Sequence, residues 1–152
     1  MSTPAVRQVQ IALAAQITAV TGRPVIVDRT DDEPLANDER PALVLHVGGQ
    51  AFEAFDQSST IHAAQFDLDI LEDSEDAGSI QLRHAVAVAA IVAAVHADRT
   101  LGGRLQSLEE KSADPSNADT ADLGNCTLSF AAQYLTPRGD FNTIVGQSGL
   151  FT

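Results

Sequence analysis

The chain has 152 residues, a length that fits one domain with a real core. Its 21 acids stand against 9 bases, a net −12 that repels phosphate backbones and argues against generic nucleic-acid binding or a basic membrane-surface helix. With no tryptophan, one tyrosine and six phenylalanines, the core must be built from small aliphatic side chains, and aromatic platforms for bases are disfavoured.

Residues from Thr3 to Val20 place Val6, Val9, Leu13, Ile17 and Val20 at steps of three and four, the stripe of an amphipathic helix. Ser2 or Thr3 reads as its N-cap, Pro4 fits its first turn, and Gly22 and Pro24 end it. Val25 to Val27 reads as a short strand, and the acid-rich stretch from Asp28 to Arg40 as a loop. Leu43, Leu45 and Val47 alternate with Val44 and His46 as in a half-buried strand, which Gly48-Gly49 break or bend.

A third strand is expected from Ser59 to Leu71, where Phe66, Leu68 and Ile70 alternate with Gln65, Asp67 and Asp69. Ile61 has the opposite parity, so either a bulge sits near Ala63-Ala64 or His62 faces inward. After the acidic turn Glu72 to Asp76, the segment from Ala77 to Asp98 is an alanine-rich helix, apolar nearly all round. Such a helix is buried on more than one side, against the sheet and either the first helix or a neighbouring subunit.

Gly102-Gly103 close that helix, Arg104 to Glu109 reads as a short strand, and Glu110 to Asp122 as a loop containing Pro115. In the last strand Cys126, Leu128, Phe130, Ala132 and Tyr134 share one face, with Pro137-Arg138-Gly139-Asp140 closing it. The remainder to Thr152 carries Phe141, Ile144, Val145, Leu150 and Phe151 without periodicity. The expectation is an α+β fold: a mostly antiparallel sheet of about four to five strands with two helices packed on one face. One domain spans 1–140, and 141–152 form an extended or partly disordered C-terminal extension.

The single Cys126 makes no intramolecular disulfide and no thiolate zinc cluster, and reads as a small buried hydrophobe. The opening residues lack the basic-then-apolar order of a secretory signal, and the apolar run from Ala85 to Val95 is too short to span a bilayer. Synthesis in a cytoplasm is expected. The four histidines read as surface or satisfied structural groups. His84 and His96 stand about 18 Å apart along a helix, too far to share a metal. Neither the acidic run Asp31-Asp32-Glu33 nor the run Asp67, Asp69, Glu72, Asp73, Glu75, Asp76 has the spacing of a calcium loop. No serine sits on a G-x-S-x-G elbow; triads can assemble from distant positions, so an enzyme stays open as the minority reading, with no cofactor or metal expected.

Two stretches carry a family resemblance. The helix running into Asp98-Arg99-Thr100-Leu101-Gly102-Gly103-Arg104-Leu105 resembles the D-x-T-L-G-G stretch of siphophage tail terminators and related tail-completion proteins. The strand from Cys126 to Thr136, followed by Pro137-Arg138-Gly139-Asp140, is similar to their closing strand, which ends in Y-x-T before a turn. The resemblance covers most of residues 3–140 and does not extend past Asp140. It implies a non-enzymatic virion protein: a ring, typically a hexamer, that caps the tail tube, stops its growth and joins it to the head. The implied partners are other copies of the chain, the tail tube protein and the head-closure connector, with DNA passing through unbound. The implied location is the tail or neck of a phage, a gene transfer agent or a tail-like particle made in a bacterial cytoplasm.

A ring around DNA is served by an acidic lumen, so Asp31, Asp32, Glu33, Glu72, Asp73, Glu75 and Asp76 are candidate channel-facing residues. Ring closure needs a head-to-tail interface, for which Phe52, Phe55, Phe141, Ile144, Val145, Leu150 and Phe151 supply apolar material. Two other readings stay open: a head-closure or connector adaptor ring, and a small cytosolic ligand-binding or hydrolytic domain.

Overall fold

The computed structural model of the chain describes residues 3–27, 42–72, 77–116 and 125–152. In order, these form α1 (Ala5–Thr21), β1 (Val25–Ile26), β2 (Ala42–Ala54), β3 (Ser59–Leu71), α2 (Ala77–Ala97), β4 (Ser107–Ser116), β5 (Asn125–Pro137), β6 (Ile144–Val145) and β7 (Leu150–Phe151). The class is α+β, as expected, but among the described residues the sheet has seven strands rather than four to five. β1 falls on the short strand expected at 25–27; the surplus comes from β6 and β7, each of two residues, too short for any period to register in sequence.

β2, β3 and β5 form the antiparallel centre. β4 lies along the first part of β5's other flank and β6 along its last part, while β1 pairs with β2 in parallel. β4 begins three residues later than the sequence suggests and runs through Pro115, across part of the stretch read as a loop. Proline is tolerated there because β4 has one neighbour only and sits at the sheet's edge.

The pairing of β3 with β5 is unbroken from Ser59↔Pro137 to Leu71↔Asn125, so no bulge interrupts Ala63-Ala64 and His62 takes the inward position. The irregularity lies across the hairpin, between Val47 and Gln50 of β2. Gly48-Gly49 therefore bend the strand without ending it. A Cβ on Gly48 would come within 3.2 Å of Asp67 Oδ2 and 3.3 Å of Gln65, so glycine permits this close approach.

α1 and α2 cover one face of the sheet. Val9, Leu13 and Ile17 of α1 and Ala87, Ile91 and Val95 of α2 meet Leu43, Leu45, Phe66, Leu68, Ile70, Leu128 and Phe130 in one core. Burying a phenylalanine such as Phe66 or Phe130 contributes about 1.5–3 kcal/mol. The helices also touch each other, where the Gln16 side-chain amide donates to the Ala94 carbonyl at 3.1 Å. The outward side of α2 keeps Leu82 and Val86 exposed. On the opposite face of the sheet, Ala42, Val44, Leu71 and Ile26 form a small satellite cluster.

The start of α1 departs from the sequence reading. Its N-cap is Pro4, with no side-chain cap. The Ala5 N–H donates instead to the Phe141 carbonyl at 2.7 Å, so residues beyond β5 cap the first helix. At its other end the helix closes as expected, with Gly22 left-handed at φ 75° and its N–H donating to Thr18.

Candidate functional site

The β2–β3 hairpin carries its tip, residues 49–58, exposed. The Asp56 carboxylate accepts from the Ser58 N–H at 2.8 Å and the Ser58 hydroxyl at 3.0 Å, which tightens the turn and holds that carboxyl below its usual pKa. The end of β5 clamps the same turn, for Arg138 donates its N–H to the Ser58 carbonyl at 2.9 Å. This fixed tip presents Phe55, 57% exposed, and Phe52, 53% exposed.

Phe141, 41% exposed, joins them from the turn after β5, its ring 5.2 Å from that of Phe52. Beneath the two lies His62, which contacts both rings and stacks on Tyr134. Burial lowers the pKa of His62 and pushes the Tyr134 phenol up to about 12. The result is an aromatic patch at one end of the sheet, its outer members exposed and its inner members sealed.

The turn that carries the family resemblance is a built element. The Asp98 carboxylate accepts from the Gly102 N–H at 2.8 Å, from the Thr100 hydroxyl at 2.9 Å and from the Thr100 N–H at 3.2 Å. Those bonds, the Gly102 N–H foremost, hold the Asp98 carboxyl below its usual pKa. The Thr100 hydroxyl in turn accepts from the Gly103 N–H at 3.0 Å. The chain needs these bonds because Leu101, Gly102 and Gly103 are all left-handed, at φ 49°, 73° and 90°. The Gly103 carbonyl then accepts from the Gln147 N–H at 2.8 Å, and the Arg104 guanidinium lies 4.4 Å over the Phe151 ring. The D-x-T-L-G-G turn thus anchors the C-terminal segment.

The uncovered face of the sheet is polar at its middle. Asp69 takes bonds from Thr127 at 2.8 Å and His46 at 3.0 Å, and Asp67 from Ser129 at 2.7 Å and Gln65 at 3.0 Å. Among the described residues no group of three or more His, Cys, Asp or Glu is placed to hold a metal ion. No helix of the described residues is long and apolar enough to cross a membrane.

The structure brings Phe52, Phe55 and Phe141 to one end of the sheet and separates them from the other apolar candidates. Ile144 is fully buried in the core, Val145 pairs with Leu135, and Phe151 packs against Arg104, so these hold the C-terminal segment down. Leu150 remains exposed. Of the acidic candidates, Glu72 is buried and pairs with Arg23 at 3.1 Å. Asp31, Asp32, Glu33, Asp73, Glu75 and Asp76 lie outside the described residues. Sequence reasoning missed Tyr134 as a partner of His62 and the role of Asp98 in holding the C-terminal segment. Both depend on contacts between elements distant in sequence.

No family model and no curated protein matches the chain. Among solved structures, it is similar to a chain in the virion of a native gene transfer agent particle. The identity is 23%, with 82% of this chain and 92% of that chain covered at a TM-score of 0.48.

Proposed function

We propose that the chain is a tail-terminator-type ring subunit of a phage-like particle, which caps the tail tube and provides the surface for joining the head. The observation that carries this reading is the aromatic patch. Three phenylalanines exposed together at one end of a soluble fold are best accounted for by a partner surface that covers them. The D-x-T-L-G-G turn and the closing strand add the family resemblance, and both are rigid structural elements with no chemistry assigned to them.

By register, Ala42, Leu71, Ser116 and Asn125 lie level at the end of the sheet opposite the patch. On this reading the acidic residues Asp31, Asp32, Glu33, Asp73, Glu75 and Asp76 are proposed to line the channel. Repulsion between them and DNA would keep the passage open. Copies of the chain close the ring head to tail.

The test is tail tube protein polymerised with and without the chain. Tubes capped at one end, and uncapped when Phe52→Ser and Phe55→Ser are introduced together, support the terminator role. A chain that ignores the tube and binds the head-side connector is an adaptor instead. A chain that binds neither overturns the reading.

A further inference from the structure

His62 is enclosed on every side the aromatic cluster offers. Tyr134 stacks on its ring at 4.7 Å and 8°, Phe141 meets it at 4.4 Å and Phe52 at 5.2 Å, both near perpendicular. The residue is 2% exposed. Its Nε2 shares a hydrogen bond with the Thr136 hydroxyl at 2.8 Å, while its Nδ1 is buried without a partner.

In either neutral tautomer the Thr136 hydroxyl serves Nε2 as acceptor or donor, and the Nδ1 edge goes unpaired. Protonation changes the balance. The imidazolium bears an N–H at both nitrogens and a full charge, and its Nδ1–H would be buried with nothing to accept it. The Tyr134 face returns part of that cost through its quadrupole but supplies no acceptor for Nδ1.

Among the described residues no other charge faces the ring. β2 presents Phe52, β5 presents Tyr134 and Thr136, and the segment after β5 presents Phe141. Glu53 alternates to the other face of β2, the Arg138 guanidinium is bound to the Asp56 carbonyl, and the Asp140 carboxylate is taken by Asn142 and Thr143. The walls of the cage are unequal. Tyr134 is fixed in a central strand, whereas Phe52 and Phe141 sit on a hairpin arm and a turn with half their surface already in water.

We propose that this cage is an acid-operated latch. When His62 takes up a proton, Phe52 and Phe141 swing off its ring, water reaches Nδ1, and the aromatic patch comes apart. The patch holds its docking shape only while His62 is neutral; that consequence for partner binding rests on the reading of the patch given above.

A proton NMR titration of the free full-length chain tests the latch without any partner. Cross-peaks from His62 to Phe52 and Phe141 should disappear with the same midpoint as His62 protonation, below about pH 6.5. Contacts between the cross-strand pair Phe66 and Phe130 should persist through that midpoint. His62→Phe, which keeps an aromatic ring and removes the titration, should retain the Phe52–Phe141 contact in acid. Cage contacts that survive His62 protonation overturn the latch, as does a His62→Phe chain that loses the Phe52–Phe141 contact at the wild-type midpoint. If His62→Phe does not fold, the wild-type titration decides alone. Failure here leaves the ring reading untouched, because that reading is tested with tube protein at neutral pH.

Discussion

The rings of Phe52 and Phe141 meet at 5.2 Å and 50°, although one lies on the arm of the β2–β3 hairpin and the other follows β5. The bulge in β2 makes this possible. Had the register of Val47↔Phe66 continued unbroken, Phe52 would face Ile61 on the other side of the sheet. The shift at Gly48-Gly49 puts it opposite His62 and on the same face as Phe141.

Phe55 lies at the tip and makes no ring contact among the described residues, whereas Phe52 packs on both His62 and Phe141. Phe55→Ser should therefore change stability by no more than about 0.5 kcal/mol, and Phe52→Ser should cost about 1–2 kcal/mol. Urea denaturation separates the two. Both substitutions should weaken tube binding, since both remove exposed apolar surface from the patch.

Asp98→Ala removes the acceptor for three donors and releases a turn with three left-handed residues in a row. A loss of about 1–3 kcal/mol is expected. Limited proteolysis should then cut within 146–152, the segment the turn anchors. Because the Asp98 carboxyl is held below its ordinary value, its contribution is present above about pH 4 and lost as pH falls through the lower folded value.

Gly146 has no room for a side chain. A Cβ there would come 2.4 Å from Phe151 Cε2 and 2.7 Å from the Gly103 carbonyl. Gly146→Ala should destabilise by about 1–3 kcal/mol and displace Phe151 from Arg104. Gly49→Ala, where nothing lies within 4 Å, is the matched control and should change little by thermal unfolding.

Burial pushes the pKa of the Tyr134 phenol up to about 12. Its folded pKa lies above that of the unfolded chain, so its contribution to stability is complete below about pH 10 and is lost as pH rises towards 12. Phenolate absorbance should appear together with unfolding. Burial likewise raises the Cys126 thiol, so a thiol reagent at pH 8 should react slowly with the native chain and rapidly in urea.

Much of the fold was legible because its periods are clean. Val9, Leu13 and Ile17 mark α1, and the alternation from Cys126 to Tyr134 marks β5, since each faces one core and one solvent. The reach of β2 was not legible, because Gly48-Gly49 signals a break and in fact forms a bulge. The reach of β4 beyond Glu109 was hidden by Pro115 and by polar residues that an edge strand tolerates. Of the candidate interface, Phe52, Phe55 and Phe141 were recognisable as exposed aromatics, but Ile144 was not recognisable as core. It is held there by β6, a pairing of two residues with no local pattern.

The measurement that tests the central claim most directly is solution mass by light scattering, for the chain alone and with purified tail tube protein. A closed assembly of about six copies in either condition is the predicted result. A monomer in both, with no binding to the tube, would contradict it.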